Sequence, residues 1–220
     1  MSLAVTYLGH SGFTVRTAKH QLLFDYIGGP FVRDTSVPCI ALASHVHGDH
    51  YDPSIARLAD TCVLGDGIAP FLGAHVLKPG DALQVFGASI RAFGSTDCGV
   101  SFLIEADGHS LFHAGDLNFW HWRWESTPDE VSEALNAFDA VLDALDGLPV
   151  DLALFPVDAR MGAGHDEGAD MYMRRIRPKV LIPMHWWDRP DVARNYAEKH
   201  AGGSCRVIAL TQPGETVDLF

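Results

Sequence analysis

Histidines and carboxylates that could hold a metal ion are concentrated in the segment Ser44–Asp52, which contains three histidines and two aspartates. Imidazole and carboxylate groups are the ligands that bind zinc, iron or manganese in proteins. His45 and His47 are two residues apart, so on an extended backbone their side chains project to the same side. A turn then brings Asp49 and His50 in from another direction, where they could serve a second ion. The spacing predicts a metal centre, and the alternative is a polar turn whose histidines face solvent.

Two later segments place further donors after apolar runs. One run ends in His113-Ala114-Gly115-Asp116, and the other ends in Pro183-Met184-His185. A carboxylate can bridge two cations, so Asp116 is the candidate bridging group. The chain therefore predicts a metal centre with two ions rather than one.

These donors must lie at the ends of strands. Alternating or β-rich apolar segments separated by turn residues predict where the strands are. The predicted strands cover 4–8, 13–17, 21–25, 39–43, 62–64, 75–77, 83–86, 89–93, 100–105, 110–113, 152–157, 180–183, 206–210 and 216–219. A short helix is expected near 53–59 and others over 167–176 and 190–200. The clearest helix begins at Thr127, with Pro128 at its first position and Glu130 completing a capping box, and it ends near Gly147. Both halves run from strands to helices without a linker, which predicts one α+β domain over residues 1–220, with two sheets face to face and helices outside.

The motif order of residues 45–50, 113–116 and 182–185 resembles that of the metallo-β-lactamase-fold hydrolase superfamily. The opening segments 7–13 and 23–25 resemble its branch of metal-dependent hydrolases that includes the ascorbate-6-phosphate lactonases. The resemblance covers nearly the whole chain. It implies an αββα four-layer sandwich with the metals at one edge of the two sheets.

The resemblance also implies roles for single residues and a cofactor of two divalent ions, with zinc expected and manganese or iron as alternatives. Asp25 matches an acidic position that the family uses to hold the metal loop. His10 would line the site. The implied ligands are His45 and His47 for the first metal, Asp49, His50 and His185 for the second, and Asp116 as the bridge.

The chain departs from the family at the third histidine of the first metal, because the segment 93–100 contains none. Asp97 or Cys98 could replace it, or the first position could be weak or vacant. An aspartate would suit manganese or iron, whereas a thiolate would favour zinc. We expect Asp97 to be the ligand and Cys98 to pack as a small buried residue.

All five tryptophans fall in the segments 118–124 and 185–187, directly after predicted ligand positions. They predict either an aromatic pocket or a wall of core or dimer contacts, which leaves a homo-oligomer open. His121 and His165 are candidate catalytic residues that could contact substrate, donate a proton or supply the missing ligand, and surface or core roles are the alternative. Arg160 could pair with an anionic substrate, or with Asp158 or Asp166.

A metal-dependent hydrolase is the function that these residues favour. A divalent ion lowers the pKa of bound water to roughly 7, which makes hydroxide available at neutral pH. Asp49 would orient this nucleophile or take its proton, and the substrate would be a small-molecule ester, lactone or phosphoester. The alternatives are a metal-binding protein of the same fold that has lost catalysis and a mononuclear iron oxygen-dependent enzyme.

The charge and composition of the chain argue against two classes of binding partner, nucleic acids and membranes. The net charge is −12, with 28 acidic and 16 basic residues, whereas a nucleic-acid binder usually carries the opposite balance. No run reaches the roughly 20 apolar residues of a membrane helix. The four cysteines are scattered without a Cys-X-X-Cys pair, which favours reduced thiols and a cytoplasmic location. We therefore expect neither nucleic acid nor membrane as a partner.

Overall fold

The computed structural model, which describes residues 3–220, contains two mixed β-sheets whose strands alternate side chains between their two faces. The first sheet contains, in spatial order, β14 (Thr216–Leu219), β1 (Leu3–Gly9), β2 (Gly12–Arg16), β3 (Gln21–Phe24), β4 (Cys39–Ala43), β5 (Thr61–Gly65) and β6 (Ala74–Leu77). The second contains β13 (Arg206–Val207), β12 (Val180–Met184), β11 (Leu152–Pro156), β10 (His109–His113), β9 (Ser101–Ala106), β8 (Ala88–Phe93) and β7 (Ala82–Val85).

Strand β4 illustrates how the first sheet is buried on both faces. Ile40 and Leu42 belong to the main core between the sheets, whereas Cys39, Ala41 and Ala43 belong to a smaller cluster on the outer face. Successive side chains of a strand point to opposite faces, so the larger residues fill the intersheet space and the small ones admit covering segments. Burial on both faces explains the continuous apolar run of this strand.

Three helices cover the second sheet, and all of them contribute side chains to the main core. They are α1 (Pro128–Leu145), α2 (Glu167–Ile176) and α3 (Pro190–Lys199). The predicted capping box at the start of α1 is confirmed, since Glu130 N donates to Thr127 Oγ1 and the Glu130 carboxylate accepts from Thr127 N. This box satisfies two amide groups that the first turn of a helix leaves free.

The outer face of the first sheet is covered differently from the prediction. The short helix expected near residues 53–59 is a 3-10 helix, Pro53–Arg57, which packs Ile55 against Cys62 in the outer cluster. Asp52 caps it by accepting from Ser54 N at 2.7 Å. Five residues make a poor α-helix because nucleation is costly, whereas 3-10 turns are stable in short pieces. The strand predicted over 206–210 is also shorter and ends at Val207.

Parallel pairing brings the ends of several strands to one edge of the sandwich. Strands β3 to β6 are parallel in the first sheet, and β10 to β13 are parallel in the second. Loops that follow β4, β10, β11 and β12 carry His45, Asp116, Asp158 and His185 respectively. The carboxyl edge of parallel strands is where ligands bind in open sheets. Among residues 3–220, no helix has the length and apolar character that crossing a membrane requires.

Candidate metal centre

The loop after β4 gathers three imidazoles. His45 and His50 are buried, and their ring centroids lie 4.2 Å apart. His45 Nε2 lies 3.1 Å from His47 Nδ1. A tight turn makes this possible, because the amide groups of His50 and Tyr51 both donate to the carbonyl of His47 at 2.9 Å. The turn points His45 and His47 toward one position and His50 toward a second.

Asp116, delivered from the second sheet, stands between these two positions. Its Oδ1 lies 3.0 Å from His50 Nε2 and 3.2 Å from His185 Nε2. Its Oδ2 lies 3.5 Å from His45 Nε2. One carboxylate oxygen therefore faces each position, which is the geometry that a bridging carboxylate requires.

Several of these atoms are buried without a hydrogen-bond partner. His50 Nε2, His185 Nε2 and Asp116 Oδ1 all lie in the site, and none makes a hydrogen bond of acceptable geometry. Leaving a buried polar atom unpaired costs about 1–3 kcal/mol, so a cluster of them calls for an explanation. A divalent cation would satisfy all three atoms at once. The donors thus fit the metal that the sequence predicts.

Asp25 orients the first-sheet imidazoles from behind. This buried carboxylate accepts from Ser44 N at 2.7 Å, from Ser44 Oγ at 2.6 Å and from His50 Nδ1 at 2.6 Å. Ser44 Oγ in turn accepts from His45 Nδ1 at 2.9 Å. Because a carboxylate only accepts, the Nδ1 atoms of His45 and His50 carry protons, and both Nε2 atoms point into the centre, where they can bind a cation.

Asp158 does the same for the imidazole of the second sheet. It is fully buried at the end of β11 and accepts from His185 Nδ1 at 3.0 Å. The Nε group of Arg160 donates to the same carboxylate at 2.9 Å. Of the two partners predicted for Arg160, Asp158 is therefore the correct one. Two buried aspartates, one from each sheet, hold two opposing imidazoles in the ligating tautomer.

A second group of donors surrounds His47. Asp97 Oδ2 lies 3.6 Å from His47 Nδ1, and Cys98 Sγ lies 3.7 Å from His47 Nε2. Together with His45, each of these residues offers a donor atom within 4.8 Å of the others. The expectation that Cys98 packs as a buried residue is wrong, because its side chain is half-exposed and faces the imidazoles. The turn that carries it lies over the first position rather than in the core.

His10 and Asp49 lie at the other side of the centre. Asp49 Oδ2 is 3.4 Å from His10 Nε2 and 4.0 Å from His185 Nε2. Donor atoms of His10, Asp49, His50 and His185 all lie within 4.8 Å of one another. His10 therefore joins the donors of the second position, a place that the sequence pattern alone did not assign to it.

Electrostatics in the centre favour a bound cation. The His10 imidazole, 3.4 Å away, holds the pKa of Asp49 well below its usual range. Burial opposes ionisation of Asp25, but the neighbouring His113 and His50 keep its pKa low. Burial likewise works against protonation of His50, yet Asp116 and Asp25 raise its pKa to about 10. A divalent cation would take the place of the proton that these carboxylates hold on His50.

Backbone strain is concentrated around the same donors. Four residues other than glycine have a positive φ here: His10 at 51°, Asp25 at 37°, His185 at 62° and Trp187 at 55°. Such conformations cost about 1–3 kcal/mol each and persist only where the surrounding structure enforces them. They bend the chain at the strand ends so that the imidazoles and carboxylates face one another.

A model of the family described as the beta-lactamase superfamily domain matches residues 4–121, more than half of the chain. The chain belongs to the beta-lactamase superfamily. It is 28% identical over 99% of its length to a UPF0173 metal-dependent hydrolase of Opitutus terrae, all of which it covers. The same identity and coverage apply to a UPF0173 metal-dependent hydrolase of Symbiobacterium thermophilum.

Solved structures of the superfamily agree with the fold. Igni18, a metallo hydrolase of Ignicoccus hospitalis, superposes with a TM-score of 0.70 at 18% identity, covering 100% of this chain and 99% of that one. The metallo-beta-lactamase fold protein YhfI of Bacillus subtilis superposes with a TM-score of 0.65 at 14% identity, covering 99% of both chains. The predicted metallo-β-lactamase fold is confirmed. The resemblance to the ascorbate-6-phosphate lactonase branch stays a prediction.

A pocket of about 320 Å³ opens onto the centre of this superfamily member, and it is lined by Thr96, Asp97, Asp116, Trp120, Trp122, Arg160 and His185. Trp120 Nε1 donates to the Asp116 carbonyl at 2.8 Å, and its ring stacks on Trp122 with a centroid distance of 6.1 Å. Trp120 and Trp122 therefore line a pocket, as one of the two predictions for the tryptophans expected. Trp187 lies beside it, 4.4 Å from the Arg160 guanidinium.

The other two tryptophans lie outside this pocket. Trp186 is buried in the main core and packs on Tyr7 with a centroid distance of 5.4 Å. Trp124 is 57% exposed and packs over Gly162, where an added Cβ would come within 2.1 Å of the indole ring. Trp186 is therefore a core residue, and Trp124 fits neither of the two predictions.

His121 and His165, the two imidazoles proposed for catalysis, are not among the donors that the structure brings together. The buried ring of His121 bonds to the Phe119 carbonyl at 2.9 Å and stacks on the Phe119 ring. His165 Nδ1 bonds to the Gly162 carbonyl at 3.0 Å. The backbone contact holds His165 locally, whereas His121 Nε2 is buried without a hydrogen-bond partner and lies 3.4 Å from the Glu167 carboxylate. Their catalytic roles stay predictions without geometric support.

Sequence reasoning missed two residues of this superfamily member's centre. His10 was expected only to line the site, because a single histidine in a turn carries no spacing signal. Asp158 was weighed only as an ion-pair partner of Arg160. The signal that could have found it is its position directly after the apolar strand β11, parallel to the strands that precede Asp116 and His185.

Proposed function

We propose that the protein is a metal-dependent hydrolase that acts on a small-molecule ester, lactone or phosphoester. The observation that carries this proposal is the convergence of His50 Nε2, His185 Nε2 and Asp116 Oδ1, which are buried and unpaired within about one metal's reach. The names of the two bacterial relatives, both metal-dependent hydrolases, support the same reading.

Two divalent ions fit the donors best, and zinc is the metal we propose. The first position would use His45, His47 and Asp97, and the second would use Asp49, His50 and His185, with Asp116 between them. Support comes from two groups of donor atoms that share no residue, and from a third group of His45, His50 and Asp116 that joins them. The two oxygens of Asp116 face opposite sides. Imidazole and carboxylate donors of this kind are common zinc ligands.

Divalent ions held here would supply activated water and polarise a carbonyl or phosphoryl oxygen. The side chains would supply orientation. Asp49 is partly exposed and stays ionised, so it can accept a hydrogen bond from a water molecule and hold it for attack. Trp120 and Trp122 would exclude bulk water and pack an apolar part of the substrate, while Arg160 lies where it could contact an anionic part.

Elemental analysis of protein purified without chelators or a metal-affinity tag is the primary test. We expect about two equivalents of metal per chain, and removal of the metal should abolish hydrolysis in a screen of lactones, esters and phosphoesters. Re-addition of zinc should restore it. If no metal binds even after it is added back, the proposal is wrong.

Asp49→Asn tests the role of the carboxylate in turnover. The amide keeps the size of the side chain but loses the negative charge, so kcat should fall by about 100-fold or more, as for other general acid–base groups. Asp66→Asn is the matched control, because Asp66 is exposed and outside both donor groups. Equal kcat values for the Asp49→Asn variant and the unmodified enzyme would contradict the role.

A further inference from the structure

At the first metal position the structure places one donor, the thiol of Cys98, that is not among the ligands implied by the superfamily resemblance. Cys98 Sγ lies 3.7 Å from His47 Nε2, and it shares the group of four donors with His45, His47 and Asp97. Zinc bonds of about 2.0 Å to nitrogen and 2.3 Å to sulfur separate two tetrahedral ligands by about 3.5 Å. The observed separation of 3.7 Å is close to that value, and it is measured to His47 Nε2, whereas His45 Nε2 and Asp97 Oδ2 approach His47 Nδ1 at 3.1 and 3.6 Å. A rotation of the His47 side chain would bring one ring nitrogen toward all three groups.

The turn that carries Cys98 is fixed on both sides. On one side, Val100 N donates to the Ser44 carbonyl at 3.1 Å, next to the first ligand of the metal loop. On the other side, Thr96 Oγ1 donates to the Asn118 carbonyl at 2.5 Å, close to Asp116. The thiol is therefore held between the two loops that deliver the other donors.

Gly99 makes this close approach possible. Its φ is +70°, and a Cβ at this position would lie 2.1 Å from the Ser44 carbonyl oxygen and 2.5 Å from His45 Cβ. A side chain would push the turn, and Cys98 with it, away from the imidazoles. The local sequence thus brings the thiol as near to His45 and His47 as backbone contact allows.

The environment of Cys98 differs from that of the other cysteines. Cys39, Cys62 and Cys205 are buried, and they belong to the apolar clusters of the core. Cys98 packs in neither cluster and faces imidazoles and a carboxylate instead. Apolar packing therefore does not explain this residue.

We propose that Cys98 binds the first metal ion as a thiolate and replaces the histidine that segment 93–100 lacks. The thiol proton leaves to solvent as the metal–sulfur bond forms, so no oxidant or reductant is needed. The donors of the first position become the imidazoles of His45 and His47, the thiolate of Cys98, and the carboxylates of Asp97 and Asp116. The thiolate favours zinc over manganese and magnesium because soft sulfur ligands favour softer ions. This inference rests on the proposed metal-dependent function.

Cobalt substitution tests the bond directly. The full chain loaded with Co²⁺ should show the near-ultraviolet absorption of thiolate-to-cobalt charge transfer. Cys98→Ser should remove this band, whereas the buried-thiol control Cys62→Ala should keep it. Bound cobalt without the band in the unmodified chain would overturn the role of Cys98 and leave the hydrolase proposal intact. Failure to bind cobalt or zinc at all would overturn both.

Alkylation of Cys98 in the unmodified chain, with and without zinc, tests the proposal without any substitution. It therefore remains informative if a variant does not fold. Cys98 is half-exposed, so iodoacetamide should alkylate it in metal-free protein, as measured by peptide mass spectrometry. Zinc should slow this alkylation at least about tenfold, because bound thiolate is a poor nucleophile. Magnesium should not protect it. Equal alkylation with and without zinc, in protein shown to bind zinc, would overturn the proposal.

Discussion

Replacing Asp25 by Asn should weaken metal binding without touching any metal ligand. Both oxygens of Asp25 accept hydrogen bonds, Oδ1 from Ser44 N and Oδ2 from Ser44 Oγ and His50 Nδ1. An amide offers only one acceptor oxygen, so in either orientation its NH₂ group faces another donor. If the NH₂ group faces His50, the imidazole must move its proton to Nε2, which then points a hydrogen at the metal.

The hydrogen bonds that Asp25→Asn removes set the expected loss of stability and of metal affinity. A hydrogen bond to a charged group contributes about 1.5–3 kcal/mol, and Asp25→Asn loses at least one such bond in a buried place. The free energy of unfolding of the metal-free protein should fall by about that amount. Removing the group that orients a ligand histidine typically lowers metal affinity by about 10–100-fold, or about 1.4–2.8 kcal/mol.

Asp107→Asn is a control at a carboxylate outside the donor groups. Asp107 also has a positive φ, and its Oδ2 accepts from a hydroxyl, a backbone amide and an imidazole, those of Thr17, Lys19 and His20. Because one amide oxygen can accept all three bonds, Asp107→Asn should lose less stability than Asp25→Asn and no metal affinity. Zinc affinity is measured by competition with a chromogenic chelator, and stability by denaturant unfolding of metal-free protein. The reasoning is refuted if Asp25→Asn binds zinc as tightly as Asp107→Asn.

Three further perturbations test other parts of the structure. Thr127→Ala removes the cap of α1 and should lower the denaturant-derived free energy of unfolding by about 1 kcal/mol; an unchanged value would contradict the capping role. Gly99→Ala drives a Cβ into the Ser44 carbonyl, so it should lose more than the about 1–2 kcal/mol expected for Gly67→Ala, whose positive φ is not accompanied by a contact. Burial opposes ionisation of Asp107, but its hydrogen bonds lower the pKa to about 2. The stability that this carboxylate contributes is therefore present above about pH 4 and lost as pH falls toward 2. Asp107→Asn should flatten that part of the stability–pH curve, and an equally steep curve would exclude this source.

Local sequence signals were enough for most secondary structure. The strand over residues 39–43, the helix over 167–176 and the strand over 216–219 have the predicted bounds, and the other strands except the one at 206 differ by one or two residues. Apolar periodicity and capping residues act over a few positions, so they can be read along the chain. The short helix predicted near residues 53–59 is present as a 3-10 helix, Pro53–Arg57. Its type was not predicted, because helical turns of both types share the same start signals.

For the donors of the metal centre, the sequence likewise predicted the local patterns but not how they come together. The spacing of His45, His47 and His50 is a local pattern, and the sequence alone identified it together with Asp116 and His185 as separate strand-end donors. Their convergence depends on which strands are parallel and adjacent, and strand pairing joins residues far apart in the chain. Sequence order could not establish that pairing without the resemblance.

The sequence by itself determined the chemistry of this protein, because the types of side chain and their local spacing fix which ions they can bind. Only the tertiary structure decided the second group of donors and the residues behind them. His10 approaches Asp49, Cys98 approaches His47, and Asp158 orients His185 across intervals that carry no periodic signal. The physical reason is that distances across two packed sheets depend on strand order, backbone strain and close glycine contacts rather than on separation along the chain.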